Sequence, residues 1–97
     1  MSQLRGVKIM QEKVVVQINE YDWMIGDNVE SCVDEYQKSF SSDPNDYSDA
    51  WALDDQELDK LIFRDEITGI ERTFKEQAQI EIQNGGQFPR IFACAEL

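Results

Sequence analysis

Histidine is absent from these 97 residues, and the chain holds only two cysteines, two prolines and nine lysines and arginines against twenty aspartates and glutamates. Without histidine there is no side chain of the type that most often serves as general base, partners a nucleophile or binds zinc. Cys32 and Cys94 fall short of the four nitrogen or sulfur ligands of a closed zinc site. As isolated residues on mainly apolar faces they read as reduced thiols rather than a disulfide. Glycine patterns that cradle a phosphate or a dinucleotide are missing, and Gly85-Gly86 reads as a turn. No apolar run approaches the roughly 20 residues of a membrane-crossing helix, and the first residues show no apolar signal-peptide core. These shortages argue against an enzyme. They lead us to expect a soluble intracellular protein, one domain over residues 1–97, with no cofactor.

What the chain has in excess is negative charge, and it is segregated. Between Glu20 and Asp59 stand thirteen acids, namely Glu20, Asp22, Asp27, Glu30, Asp34, Glu35, Asp43, Asp46, Asp49, Asp54, Asp55, Glu57 and Asp59, with Lys38 as the one base. That block carries −12, while the remaining seven acids and eight bases sum to +1, giving the chain's −11. Such a surface repels nucleic acid and anionic membrane and attracts basic surfaces.

The apolar pattern predicts an α+β fold, with an antiparallel sheet made of an N-terminal hairpin and a C-terminal meander, and two acidic helices between them. Residues 7–19 alternate as extended chain, with a change of frame across Met10 to Lys13 that suggests a hairpin. Tyr21 to Gly26 lead into a first helix, started by Asp27 with Glu30 three residues on, whose core stripe is Val29, Cys32, Val33, Tyr36 and Phe40. Asp27, Glu30 and Asp34 fall on its opposite side, with Glu35 at the edge. Ser41 to Ser48 reads as loop. Asp49 to Lys60 reads as partly helical, capped by Asp54 with Glu57 and anchored by Trp51, Leu53, Leu58 and Leu61. Asp65 to Gly69 reads as a hairpin turn with Gly69 at positive φ. The polar parity of Glu71, Thr73, Lys75, Gln77, Gln79, Glu81 and Gln83 predicts a one-sided strand there, with a helix over 66–78 as the alternative. Phe88 to Ala95 reads as the last strand.

Adjacent acids such as Asp34-Glu35 and Asp54-Asp55 read as a solvated helix face, because a catalytic pair needs a pocket that separates its two pKa values. Asp43, Asn45, Tyr47, Asp49 and Asp54 approach the spacing of a calcium loop. However, Tyr47 stands at a ligand position, Ser48 replaces the turn glycine and Asp54 replaces the closing glutamate. The bases Arg5, Lys8, Lys13, Arg72, Lys75 and Arg90 are dispersed and form no nucleic-acid footprint.

Neighbouring carboxylates on a helix stand roughly 5–6 Å apart, against about one negative charge per 1.7 Å of duplex DNA axis. Two acidic helices and an acidic loop can therefore imitate a short piece of phosphate backbone. With Asp27-x-x-Glu30-x-x-x-Asp34-Glu35 and the run Asp43, Asp46, Asp49, Asp54, Asp55, Glu57, Asp59, this short, histidine-free acidic chain resembles the DNA-mimic class of phage anti-CRISPR proteins. It is most similar to those acting on type I-F surveillance complexes. The resemblance lies in size, acidity and charge placement, not in a shared motif. It implies a non-enzymatic inhibitor in the bacterial host cytoplasm, acting as a monomer without binding nucleic acid itself. Its partner would be the basic DNA-binding surface of an RNA-guided CRISPR complex near the site that reads the PAM. The contact residues would be Asp27, Glu30, Asp34, Glu35, Asp43, Asp46, Asp49, Asp54, Asp55 and Asp59. The other readings are an immunity or antitoxin-type plug of a basic nuclease and a calcium-binding interaction module.

Overall fold

A computed structural model describes residues 13–95. The expected α+β class with an antiparallel sheet is observed, and the central sheet has four strands. They are β1 (Val14–Gln17), β2 (Asp22–Gly26), β3 (Trp51–Ala52) and β6 (Arg90–Cys94), in the order β3-β1-β2-β6 with every pairing antiparallel. A separate two-stranded hairpin joins β4 (Ile62–Arg64) to β5 (Glu71–Thr73). The helices are α1 (Val29–Ser39), α2 (Asp55–Lys60) and α3 (Phe74–Asn84). Among the described residues no helix is long and apolar enough to cross a membrane.

The run Val14-Val15-Val16 is apolar without alternation because both faces of the sheet are covered. Opposite pairs along β1 and β2 point to opposite sides: Val15 faces Ile25 and Val16 faces Met24. Val16, Ile18 and Met24 pack with Cys32 and Tyr36 of α1, whereas Val15, Ile25 and Leu53 pack with Phe74 and Ala78 of α3 and Phe92 of β6. The result is three layers, with α1 on one face of the sheet and α2, α3 and the β4–β5 hairpin on the other. Burying each of these large apolar side chains contributes about 1.5–3 kcal/mol, so both layers are held chiefly by the hydrophobic effect. The second layer adds an aromatic cluster, in which the rings of Phe74 and Phe92 lie 5.0 Å apart and those of Trp23 and Phe74 5.5 Å apart, both edge-on. Phe92 joins it through a bulge, since Trp23 pairs with Ala93 and Met24 with Ile91, leaving Phe92 without a residue opposite.

Several expectations are corrected. Residues 7–12, the first arm of the expected hairpin, lie outside the described residues; the hairpin observed is β1–β2, and Tyr21 to Gly26 supply its second strand instead of a lead into the helix. Asn28 caps α1, accepting from the Ser31 N–H at 2.8 Å while Ser31 Oγ accepts from the Asn28 N–H. Asn-x-x-Ser one residue after Asp27 satisfies the same donors as Asp-x-x-Glu, so Asp27 is left outside the helix. Gly26 fits this entry because a side chain there would meet Cys32 Sγ and Pro89 Cβ, each at 2.8 Å.

Of the strand expected over 71–83, Glu71–Thr73 is the strand β5 and the rest is the helix α3. Its start is a reciprocal cap, Thr73 Oγ1 accepting from the Glu76 N–H and Glu76 Oε1 from the Thr73 N–H, both at 3.1 Å. Phe74, Ala78 and Ile82 then face the core four residues apart, and Gly85 ends the helix at φ 72°. Lys, Glu, Gln and Ala between them are good helix formers, and that preference outweighs the alternation. Trp51, expected to anchor the second helix, sits on the edge strand β3 and is 43% exposed, while Phe40 at the end of α1 is 55% exposed. The turn with Gly69 at φ 76° and the cap of α2 by Asp54 with Glu57 are as expected.

Candidate acidic interaction surface

The ten carboxylates singled out from the sequence fall on both sides of the sheet. Asp27, Glu30, Asp34 and Glu35 belong to α1 and its entry. Asp43, Asp46 and Asp49 lie on the connection after α1, which stays on the same side because Tyr47 and Ala50 pack against the Cys32–Tyr36 cluster. Asp54, Asp55 and Asp59 belong to α2, across the sheet, where Leu58 packs on the other cluster. The chain crosses between the two groups along the edge strand β3, so seven acids share one side and three the other. The single ridge implied by the sequence is divided by the sheet.

Their local roles differ. Glu30 and Asp34, on the face of α1 away from the sheet, are exposed, as are Asp49 and Asp55. Asp27 accepts an ion pair from Lys13 Nζ at 2.8 Å, and Asp59 a longer one from Lys75 at 3.7 Å. Glu35 accepts from Ser39 Oγ at 2.6 Å. Asp43 accepts the Asn45 N–H at 3.0 Å as the cap of a short 3₁₀ turn, Pro44–Asp46, and Asp46 accepts from Ser41 Oγ. Asp54 accepts the Glu57 N–H at 2.8 Å. Asp43, Asp46 and Asp54 of the would-be calcium loop are thus spent on nearby protein donors. Among the described residues no three of Asp, Glu or Cys converge as metal ligands.

Sequence reasoning missed the residue that positions the loop. Asn19, in the β1–β2 turn, receives the N–H groups of Tyr21 and Asp22 on Oδ1 at 2.8 and 3.1 Å. Its Nδ2 donates to Tyr36 Oη at 3.2 Å and to the Asp46 carbonyl at 2.8 Å. Tyr36 in turn donates to Asp22 Oδ2 at 2.7 Å. One asparagine therefore ties turn, helix and acidic loop together, and an asparagine three residues before a strand gives no signal beyond turn propensity. Burial and the bond to Asp22 hold the Tyr36 phenol above its usual range. Burial likewise pushes the Cys32 thiol up to about 11, so it is an inert core thiol. Cys94 is exposed instead of buried, and neither cysteine is in a disulfide.

Of the thirteen acids in the block, two, Asp27 and Asp59, form ion pairs with described residues. Among the described residues the acids of the α1 side other than Asp27 therefore have no ion-pair partner, and Phe40 on that side and Trp51 at the sheet edge are exposed apolar groups. Exposed carboxylates beside exposed rings are groups that a cationic surface can meet. No known protein family, curated protein or solved structure matches this chain.

Proposed function

We propose that this chain is a non-enzymatic inhibitor that imitates the charge of DNA and occupies a basic nucleic-acid-binding surface. The partner implied by the resemblance is an RNA-guided CRISPR surveillance complex in the host cytoplasm. The observation that carries this reading is the α1 side, where Glu30, Asp34 and Asp49 stand exposed on packed, capped structure with no ion-pair partner among the described residues. Rigid carboxylates release counterions from a basic cleft without the ordering cost of a disordered acidic tail. The division by the sheet narrows the contact to α1 and the loop after it, with Asp54, Asp55 and Asp59 contributing long-range field rather than direct contact.

The test is competition. A guide-loaded surveillance complex is titrated with labelled target duplex in the presence of this protein. Displacement of the duplex, overcome by raising the concentration of labelled target, is the expected result. Unchanged duplex binding at saturating protein sinks the proposal. Inhibition of a free nuclease lacking any guide RNA would instead select the nuclease-plug reading.

A further inference from the structure

The side of the molecule opposite α1 carries an apolar groove of about 980 Å³ between β6 and the β4–β5 hairpin. Phe63 and Ile67 line one bank, Ile91 and Ala93 the other, and Trp23 and Phe74 reach it from the core. Among the described residues the two banks belong to different sheets and are not paired with each other, and β6 is the outer strand of its sheet. Beside the groove stands an apolar projection. Ile67, in the turn between β4 and β5, is 95% exposed, with Ile62 at 55% and Ile70 at 50%.

The charge of this region differs from that of the rest. Residues 60–95 hold five bases, Lys60, Arg64, Arg72, Lys75 and Arg90, and five acids, Asp65, Glu66, Glu71, Glu76 and Glu81, so their sum is zero. Two copies of a −11 chain repel one another wherever the acidic block faces itself. A contact centred on β6 and the β4–β5 hairpin, whose own charges lie in the balanced segment 60–95, incurs less of that cost than one on α1, although the acids of α2 share its side. A basic partner is drawn to the other face. A two-fold contact requires one patch to be complementary to itself, and here a projection and a groove adjoin on the same patch.

We propose that this face joins two copies of the chain in a two-fold dimer, the Ile67 turn of each copy entering the groove of the other. The dimer leaves both acidic α1 sides outward, and it stands or falls independently of what those sides bind.

Sedimentation velocity on the full chain alone, from micromolar to near-millimolar concentration, tests it. A monomer–dimer equilibrium that persists or tightens as salt is raised is expected, since salt screens the repulsion between the acidic sides and leaves an apolar contact intact. Ile67→Asp, at an exposed position where folding is not at stake, should weaken dimerisation by about tenfold or more, and Ile62→Asp should weaken it less. A chain that stays monomeric throughout overturns the proposal and leaves the groove to a foreign strand. So does a dimer indifferent to Ile67→Asp, or one that dissociates as salt rises.

Discussion

The two sides of the central sheet carry helices of equal length, α1 and α3 with 11 residues each, both closed by a reciprocal cap, yet they present opposite surfaces. The α1 side keeps Val29, Cys32, Val33 and Tyr36 in the sheet interface and exposes carboxylates. The other side carries the acids of α2 beside the charge-balanced segment 60–95, and exposes isoleucines around a groove. The difference teaches that the carboxylates are unevenly shared: seven of the ten singled out lie on the α1 side, while Ile62, Ile67 and Ile70 stand exposed on the other.

The sharpest way to break this contrast is charge reversal on each side in turn. Glu30→Lys, Asp34→Lys and Asp49→Lys together should weaken binding to the basic partner by at least about a hundredfold, because each replaces attraction by repulsion at the contact. Glu71→Lys with Glu76→Gln, on the side of the groove, should change it little. Binding titrations of both variants, with circular dichroism as folding control, check this. The first set shifts the net charge by +6 and the second by +3, so losses of binding free energy in that two-to-one proportion would mean that net charge alone decides.

Core substitutions sharpen the structural half of the comparison. Phe74→Ala removes the ring that joins α3 to Trp23, Phe63 and Phe92, and should cost about 3–5 kcal/mol in a denaturant titration. Gly26→Ala places a methyl against Cys32 Sγ and Pro89 Cβ and should cost about 1–3 kcal/mol by overpacking. Tyr36→Phe leaves the ring in place but removes the donor to Asp22 and the acceptor for Asn19. It should cost about 1–2 kcal/mol and raise hydrogen exchange in residues 43–49.

The smallest effect is a pH dependence. The Cys32 thiol rises from 9.0 to about 11 on folding, and Tyr36 is raised as well. Between those values the folded chain binds more protons than the unfolded one, so stability is full below pH 9 and falls as pH rises toward about 11. Cys32→Ala should flatten the part of that decline due to the thiol and leave the part due to Tyr36. Asp65 moves the other way. Backbone donors from Ile67 and Thr68 hold its carboxyl below the usual value, so its contribution is present above the ordinary carboxylate range and lost as pH falls.

What could be read from the sequence follows the same division. On the α1 side, Val29, Cys32, Val33 and Tyr36 fit only a helical period, and the outward position of Glu30 and Asp34 followed directly. On the other side Ile70, Phe74 and Ala78 fit a helical stripe with Ile67 and, equally, a strand with Ile80 and Ile82. Thr73 with Glu76, a capping pair visible in the sequence, was the local evidence that separates them. The layering itself was not visible, because no local pattern states which face of the sheet a helix covers. That is why one acidic block in sequence became two groups in space. Asn19 was unreadable for a related reason: its partners, Tyr36 and Asp46, come from 17 and 27 residues away.

The central claim is that the α1 side binds by replacing phosphate charge, and the salt dependence of binding to the basic partner measures this most directly. A plot of log affinity against log salt should fall steeply for the native chain, and Glu30→Gln with Asp34→Gln and Asp49→Gln should make it shallower. A flat plot for the native chain, or one whose slope these neutralisations leave unchanged, would contradict the account.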